Sequence, residues 1–208
     1  MKEKIDPKAL NIISLDINEE MIKEALLLDE KYYPEEYHLS LEQCLGYFEK
    51  NNQIYIMMVY DNHVIGYLNF SPITEEKYDE LATGSCIDTS IRSEDIRQYK
   101  PNHIYSAYLS SVVIDEQFRN LGYGNLLLKA LANRIINLFD KKIYFKRIIA
   151  DVLNDAGKAL AINFGLQEKK ATKNRSMLFE TFLIPMEMNE TIYTEAIIRK
   201  YRTTKENK

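Results

Sequence analysis

The 208-residue chain is predicted to fold as a single α+β domain built on a mixed sheet. Three observations predict it. Strand and helix periodicities interleave in the order β-α-α-β-β, then an unassigned stretch, then β-α-β-α-β-β. The composition, 46% apolar and 28% charged, is that of an ordinary globular protein with enough apolar side chains for one core. Residues 104–139 run from a long apolar strand through a turn carrying two glycines straight into an amphipathic helix.

The first elements follow from spacing and caps. Asn11–Leu15 (NIISL) is a short apolar run, read as a first strand. Asn18 is placed to cap a helix over EEMIKEALLLDEKYY, where Ile22, Leu26 and Asp29, and beside them Ala25, Leu28 and Tyr32, recur at helical spacing until Pro34 stops it. A second helix is predicted from Ser40, with Glu42 and Gln43 in its first turn and Leu41, Cys44, Leu45 and Phe48 on one face. Gln53–Tyr60 and His63–Phe70 form a predicted hairpin about Asp61-Asn62, with Gly66 as a close-approach or bulge position.

Residues 72–102 have no clear period. Glu75–Ala82 is expected to be helical and Ser93–Tyr99 to be a second short helix. Seven acidic residues against four basic ones make the segment read as a solvated surface insertion, with a lid over a binding site as the alternative. Beyond the central helix, Tyr144–Val152 is a further strand, and Asn154 caps a short helix that Gly165 stops. Leu166–Lys170 and Arg175–Ile184 read as closing strands about Thr172-Lys173-Asn174. The extension 185–208 carries a predicted helix at Glu190–Tyr201 and then a basic, solvated end.

Bulk properties exclude several functions. A net charge of −4 and a pI near 5.5 argue against a nucleic-acid face and favour a cationic ligand. Cys44 and Cys86 lack metal or redox spacing, and Cys44 sits on the apolar helix face as a core thiol. His38, His63 and His103 are not spaced as a ligand pair, so no metal site is expected. No apolar run approaches the ~20 residues of a membrane span, and the N-terminus has no apolar signal core. These features imply a soluble cytoplasmic protein.

The chemistry is carried by Arg119-Asn120-Leu121-Gly122-Tyr123-Gly124. A strand that feeds such a turn aims unpaired amides and the positive end of a helix dipole at one point, which suits a phosphate. Arg119 adds a charge-assisted contact. A Walker loop is excluded because no G-x-x-x-x-G-K-[ST] run exists, and a dinucleotide fingerprint fails because Leu127 stands where its third glycine would be. Two glycines at the start of a helix, each costing about 1 kcal/mol in its interior, need a reason of this kind.

The stretch Val112–Leu128 resembles motif A of the GNAT acyltransferases, matching in the arginine, both glycines, the apolar strand, and Leu126 and Leu127. Asn154–Leu166 is similar to the same family's motif B, N-x-x-A-x-x-x-Y-x-x-x-G-F. Asn154 and Gly165 match and Leu166 replaces the aromatic, whereas Gly157 stands for the usual alanine and Ala161 for the tyrosine that protonates the leaving thiolate. The resemblance implies a GNAT fold: a twisted, mostly antiparallel sheet of about seven strands with helices on both faces. It implies acetyl-CoA as acyl donor, an amine acceptor, direct acetyl transfer and, as in many members, homodimerisation, with the C-terminal helix a candidate interface. By position it assigns the donor site to Val112, Val113, Ile114, Arg119, Asn120, Leu121, Gly122, Tyr123, Gly124, Asn125 and Asn154. The pantetheine arm would lie along Val112–Ile114 where the strand splays beside Ser110 and Ser111, and backbone amides there would polarise the thioester carbonyl.

Catalytic groups are left open by this reading. With Ala161 at the acid position, Tyr105, Tyr108 and Tyr144 are substitute acids, and a missing acid typically costs ~10²–10⁴-fold rather than everything. Glu36, with Glu35, beside Tyr32, Tyr33 and Pro34, is a candidate base in the loop that shapes the acceptor pocket in the family. Two further readings stay open: a non-catalytic acyl-CoA-binding module, and transfer of a longer acyl chain into space left by Ala107, Ser110, Ser111 and Ala161.

Overall fold

The computed structural model describes residues 9–13 and 15–206. Seven strands form one open sheet in the order β1-β2-β3-β4-β5-β7-β6: β1 Leu10–Ile13, β2 Tyr55–Tyr60, β3 His63–Ile73, β4 His103–Ile114, β5 Ile143–Val152, β6 Gln167–Ala171 and β7 Met177–Phe182. Every neighbouring pair is antiparallel except β4 and β5, which run parallel with α4 (Tyr123–Asp140) as the crossover. Parallel neighbours need such a long connection, which explains why the longest helix lies here. The fold expected from the sequence is the one found.

Alternation along the strands divides the interior into two cores. Ile56, Met58, Leu68 and Phe70 face α4, α5 (Asp155–Asn163) and α6 (Glu195–Glu206). There they meet Leu127, Leu131, Ile135, Ala161, Ile197 and Ile198. Tyr55, Met57, Val59 and Tyr67 face the other way, toward α1 (Glu19–Tyr32), α2 (Leu41–Lys50) and α3 (Glu75–Thr83). Ile22, Ala25, Leu28, Cys44, Tyr47, Tyr78 and Leu81 close that second core, and burial pushes the Cys44 thiol up to about 12, consistent with an inert packing residue.

Local chemistry explains the helix ends. Asn18 accepts from the Met21 amide at 3.0 Å, and Ser40 with Gln43 forms a reciprocal capping box. Gly84, at φ +66°, ends α3 in the left-handed conformation. Asp61 (φ 48°) and Asn62 (φ 64°) make the β2–β3 turn, a backbone that polar short side chains tolerate.

The segment 72–102 departs from the sequence expectation of a solvated insertion. It holds α3 as predicted, but Ser93–Tyr99 contains only a single 3₁₀ turn at Ser93–Asp95, after which Ile96 bridges Ile73. Ile91 and Ile96 are buried in the α1/α2 core, the Tyr47 hydroxyl donates to the Ile91 carbonyl at 2.5 Å, and Asn51 donates to the Arg97 carbonyl at 2.9 Å. The high charge count is misleading because the segment's irregularly spaced isoleucines turn inward.

Two smaller differences concern the ends. Leu15 is exposed and outside β1, and Ser14 lies outside the described residues. The C-terminal helix runs from Glu195 to Glu206 rather than over the predicted Glu190–Tyr201, while Asn207 and Lys208 lie outside the described residues. Its apolar face packs inward, with the Tyr201 hydroxyl accepting from the Phe145 amide at 2.8 Å.

Candidate active site

Strand β4 is the wall on which the site is built. It pairs with β5 only from His103↔Ile143 to Leu109↔Ala150, and beyond that point the two part. On its other edge β4 stays bonded to β3, but the register slips: Asn69 faces Ser111 while Phe70 faces Leu109, so Ser110 is an extra, bulged residue. Such a bulge sharpens the twist and turns β4 away from β5. Residues Ser110–Ile114 therefore carry backbone groups on the β5 side that meet no strand.

Gly66 makes the approach of β3 possible. A Cβ there would stand 2.6 Å from the Val113 carbonyl oxygen and 2.5 Å from the Ile114 side chain. Only glycine lets β3 lie this close to the splayed end of β4.

The parting opens a cleft of about 770 Å³ between Val112–Ile114 on one side and Val152–Asn154 on the other. Arg119, Asn120, Gly122, Tyr123, Gly124 and Asn125 line its far end, and Asn154, Ala156, Gly157, Leu160 and Ala161 of the α5 side complete it. Of the eleven residues assigned to donor binding, Leu121 alone does not line it, being about half exposed.

The far end has the features that suit an anion. Gly122 is the N-cap of α4 at φ +80° and no side chain caps the helix. The first intrahelical bond is from Leu126 N to the Gly122 carbonyl, which leaves the preceding amides free and aligned with the positive end of an 18-residue helix. Asn120, at φ 66°, gives the turn a second left-handed residue.

From sequence both glycines are expected to allow the turn's unusual dihedrals and the close approach of a ligand; Gly124 lines the cleft, but of the two the turn dihedral falls to Gly122 alone. The φ of Gly124 is not left-handed, and an added Cβ would press to 3.1 Å on Leu160 of α5, so it lets the two helices close on one another. Gly157 is explained in the same way: its Cβ would meet Val152 at 3.1 Å. Asn154 caps α5 by accepting from the Gly157 amide at 2.9 Å.

Arg119 is held at the rim. Its Nε donates to the Ile114 carbonyl at 2.8 Å and its guanidinium lies 4.0 Å from the centre of the Tyr32 ring. The Tyr32 hydroxyl accepts from the Glu116 amide at 2.7 Å, and Lys31 pairs with Asp115 at 3.1 Å. The end of α1 is thereby fastened to the β4–α4 connection.

The suggested catalytic groups are not gathered at the cleft. Tyr144 sits at the opposite end of β5, its ring 5.1 Å from Phe139. Tyr105 is engaged by Gln98 and Lys100. Glu36 lies in the exposed 3₁₀ turn Glu35–Tyr37, where its carbonyl accepts from Thr89 at 3.3 Å, and neither it nor Glu35 lines the cleft or the cavities beside it. Tyr108 is buried next to the bulge and desolvation drives its hydroxyl pKa well up, so it remains a neutral phenol. Ala161 is buried on the cleft wall and supplies no proton.

What sequence reasoning missed is a group of three aspartates on the α1/α2 side of the splay, Asp29 and Asp88 buried and Asp151 half-buried. Two small cavities, of about 30 and 20 Å³, adjoin the cleft there, and both touch Asp29, Asp88, Tyr108, Ser110 and Ser111; the smaller also touches Asp151, Tyr33 and Tyr37. Asp29 accepts from the Tyr67 hydroxyl at 2.5 and 2.6 Å, yet burial pushes its carboxyl up to about 7. Burial, and then the charges of Asp151 and Asp29, push Asp88 up to about 7 as well. Asp151 is raised by burial too. Asp29 shares a helical stripe with Ile22, and Asp151 is in strand register with buried Ile149, so both had a signal in the sequence. Asp88 lies in a 3₁₀ turn of residues 72–102 and had none. Among the described residues no group of side chains suited to a metal ion occurs, and no helix is long and apolar enough to cross a membrane.

Residues 18–161 match the model of the acetyltransferase (GNAT) family. No curated protein sequence matches the chain. In fold it is similar to the loading GNATL domain of CurA from Lyngbya majuscula, at TM-score 0.60 and 12% identity over 83% of this chain and 97% of that one. It is also similar to Ard1 from Thermoplasma volcanium, at TM-score 0.53 and 12% identity over 83% and 95%. A third is Arabidopsis thaliana Naa50, solved with the bisubstrate analogue CoA-Ac-MVNAL, at TM-score 0.52 and 11% identity over 83% and 98%.

Proposed function

Because the chain belongs to the GNAT acetyltransferase family, we propose that it moves the acetyl group of acetyl-CoA directly onto a primary amine. One observation carries this reading: the gap between β4 and β5 beyond Leu109 leads without interruption to the uncapped start of α4. A pyrophosphate at that start would meet free amides, with Arg119 beside it. An acyl-pantetheine arm would then run along Val112–Ile114 as an added strand, with its thioester at the Ser110 bulge. Backbone amides fixed there polarise the carbonyl without reorganising.

Neither cysteine is placed for a covalent step. Cys44 is buried in the α1/α2 core, and neither cysteine lines the cleft. Transfer is then a single attack by nitrogen on the acyl carbon. A coenzyme A thiol, with a pKa near ~8.5, leaves acceptably without an acid in the Ala161 position. That same alanine favours a second reading, transfer of a longer acyl chain, because the wall there is small and apolar.

Two measurements test the proposal. Acetyl-CoA at 100 times its dissociation constant should stabilise the fold by ~2.7 kcal/mol, a rise of several degrees in melting temperature. Thiol release should then depend on an added amine. Stabilisation without amine-dependent release would mean a binding module. No stabilisation would remove the acyl-CoA reading altogether, and a faster reaction with butyryl-CoA than with acetyl-CoA would favour the longer chain.

A further inference from the structure

The aspartates beside the bulge deepen the acyltransferase reading, and the role assigned to them rests on it. We propose that Asp88 seats the acceptor's amino group, with Asp151 beside it, and that the acceptor is an unbranched primary alkylammonium rather than the α-amine of a peptide.

Geometry comes first. Asp88 is 9% exposed, one of its carboxylate oxygens is buried without a hydrogen-bond partner, and it faces the small cavity behind Ser110 and Ser111. Asp151 brings a second unpartnered oxygen and Tyr37 an unpartnered hydroxyl to the same space. Buried polar groups nearly always find partners, so three orphans converging on one cavity mark the position of a missing donor. Asp29 is not part of this deficit, since Tyr67 already donates to both its oxygens.

Charge and size then define the ligand. In the smaller cavity Asp88 is faced by Asp29, Asp151 and the phenols of Tyr33, Tyr37 and Tyr108, in the larger also by Cys44, Tyr47, Tyr55 and Tyr67, and among the described residues no Lys, Arg or His lines either one. A cation with several N–H donors satisfies every orphan at once. The cavity, about 20 Å³, has room for one group the size of water or ammonium, and its narrow surround of Leu39, Tyr33, Tyr37 and Tyr108 favours an amine without a branch at the attached carbon. Tyr33, Ser110, Ser111, Asp151 and Leu153 border both this cavity and the cleft, so the seat opens onto the point where the thioester would lie.

In the reaction the ammonium gives one proton to the Asp88 carboxylate, and the nitrogen lone pair forms the new bond to the acyl carbon. The carbon–sulfur bond breaks with its electron pair on sulfur, and a second proton from nitrogen ends on the thiolate. The products are an amide and a free thiol, and the proton on Asp88 passes to solvent as the neutral amide leaves.

The test compares n-butylamine and 1,4-diaminobutane with sec-butylamine and an alanyl peptide amide, with thiol release followed in wild type, Asp88→Asn and Asp151→Asn. Binding is read separately, from the melting-temperature shift given by n-butylammonium chloride in the presence of coenzyme A. Expected are at least tenfold higher kcat/KM for the unbranched amines, and a hundredfold or greater loss in Asp88→Asn with its stabilisation by acetyl-CoA intact. If folded Asp88→Asn stays within threefold of wild type, or the peptide is preferred, the inference is wrong while acetyl transfer stands. If no amine is acetylated yet butylammonium still protects wild type and not Asp88→Asn, the seat is right and the transferase reading fails. If butylammonium protects both equally or neither, the seat is wrong.

Discussion

Asp88→Asn should make the protein more stable, and more so as the pH rises. The buried carboxyl has its pKa lifted from the ordinary 3.8 to about 7. A folded-state pKa raised above the unfolded value means that stability is fully present below pH 3.8 and is lost as the pH climbs through about 7. The shift of about 3 units, at 1.36 kcal/mol each, sets the full loss at about 4 kcal/mol, reached near pH 8. At pH 5 less than half of that interval has been crossed, so the loss there is less than half as large. Asparagine has the same shape and no charge. For a chain of this length each kcal/mol moves the melting temperature by roughly 2–4 °C. The variant should therefore melt about 10 °C above wild type at pH 8 and only about 4 °C above it at pH 5. Thermal melts followed by circular dichroism at the two pH values decide this. Equal gaps at both, or a less stable variant at pH 8, would refute the account of Asp88 as a charge buried at a cost.

The other predictions concern the donor side. Arg119→Ala removes a cation from the start of α4 together with its hold on the Ile114 carbonyl and Tyr32, and should weaken coenzyme A binding about tenfold, ~1.4 kcal/mol, by calorimetric titration. Gly66→Ala must pry β3 from β4 at the Val113 carbonyl and should cost about 1–3 kcal/mol in denaturant melts while also weakening coenzyme A binding. Gly122→Ala meets nothing within 4 Å but holds φ at +80°, so it should cost about 1–2 kcal/mol from backbone strain alone, read from the same melts.

Much of the fold is legible in the sequence because its signals are local. The caps at Asn18, Ser40 and Asn154 each satisfy an amide three residues on, and such contacts can be read from spacing. The strand, turn and helix around Gly122 are equally plain. The limits lie where long-range packing decides. From sequence Gly124 belongs to the turn, because its real partner, Leu160, is 36 positions away in the chain. Tyr144 is a reasonable proton donor until β5 places it at the end remote from the bulge. Residues 72–102 mislead because aperiodic segments reveal nothing of which side chains turn inward, and in sequence Asp88 looks like one more surface acid. Its environment is set by Asp29 and Asp151, which reach it from a helix and a strand distant in sequence.

The division of the interior into two cores bears on redesign. The α4/α5 half carries the anion site and most of the wall along which a donor would lie, whereas the α1/α2 half, with residues 72–102, carries the aspartates. The sheet separates the two cores, but at the splay Tyr33, Ser110, Ser111, Asp151 and Leu153 border both the cleft and the small cavity. Away from those five, substitutions that retune what enters from one side should leave the other nearly as it was, and their energetic effects should add when the sites share no partner. The chain can accordingly be redesigned one half at a time, provided those five shared positions are left as they are.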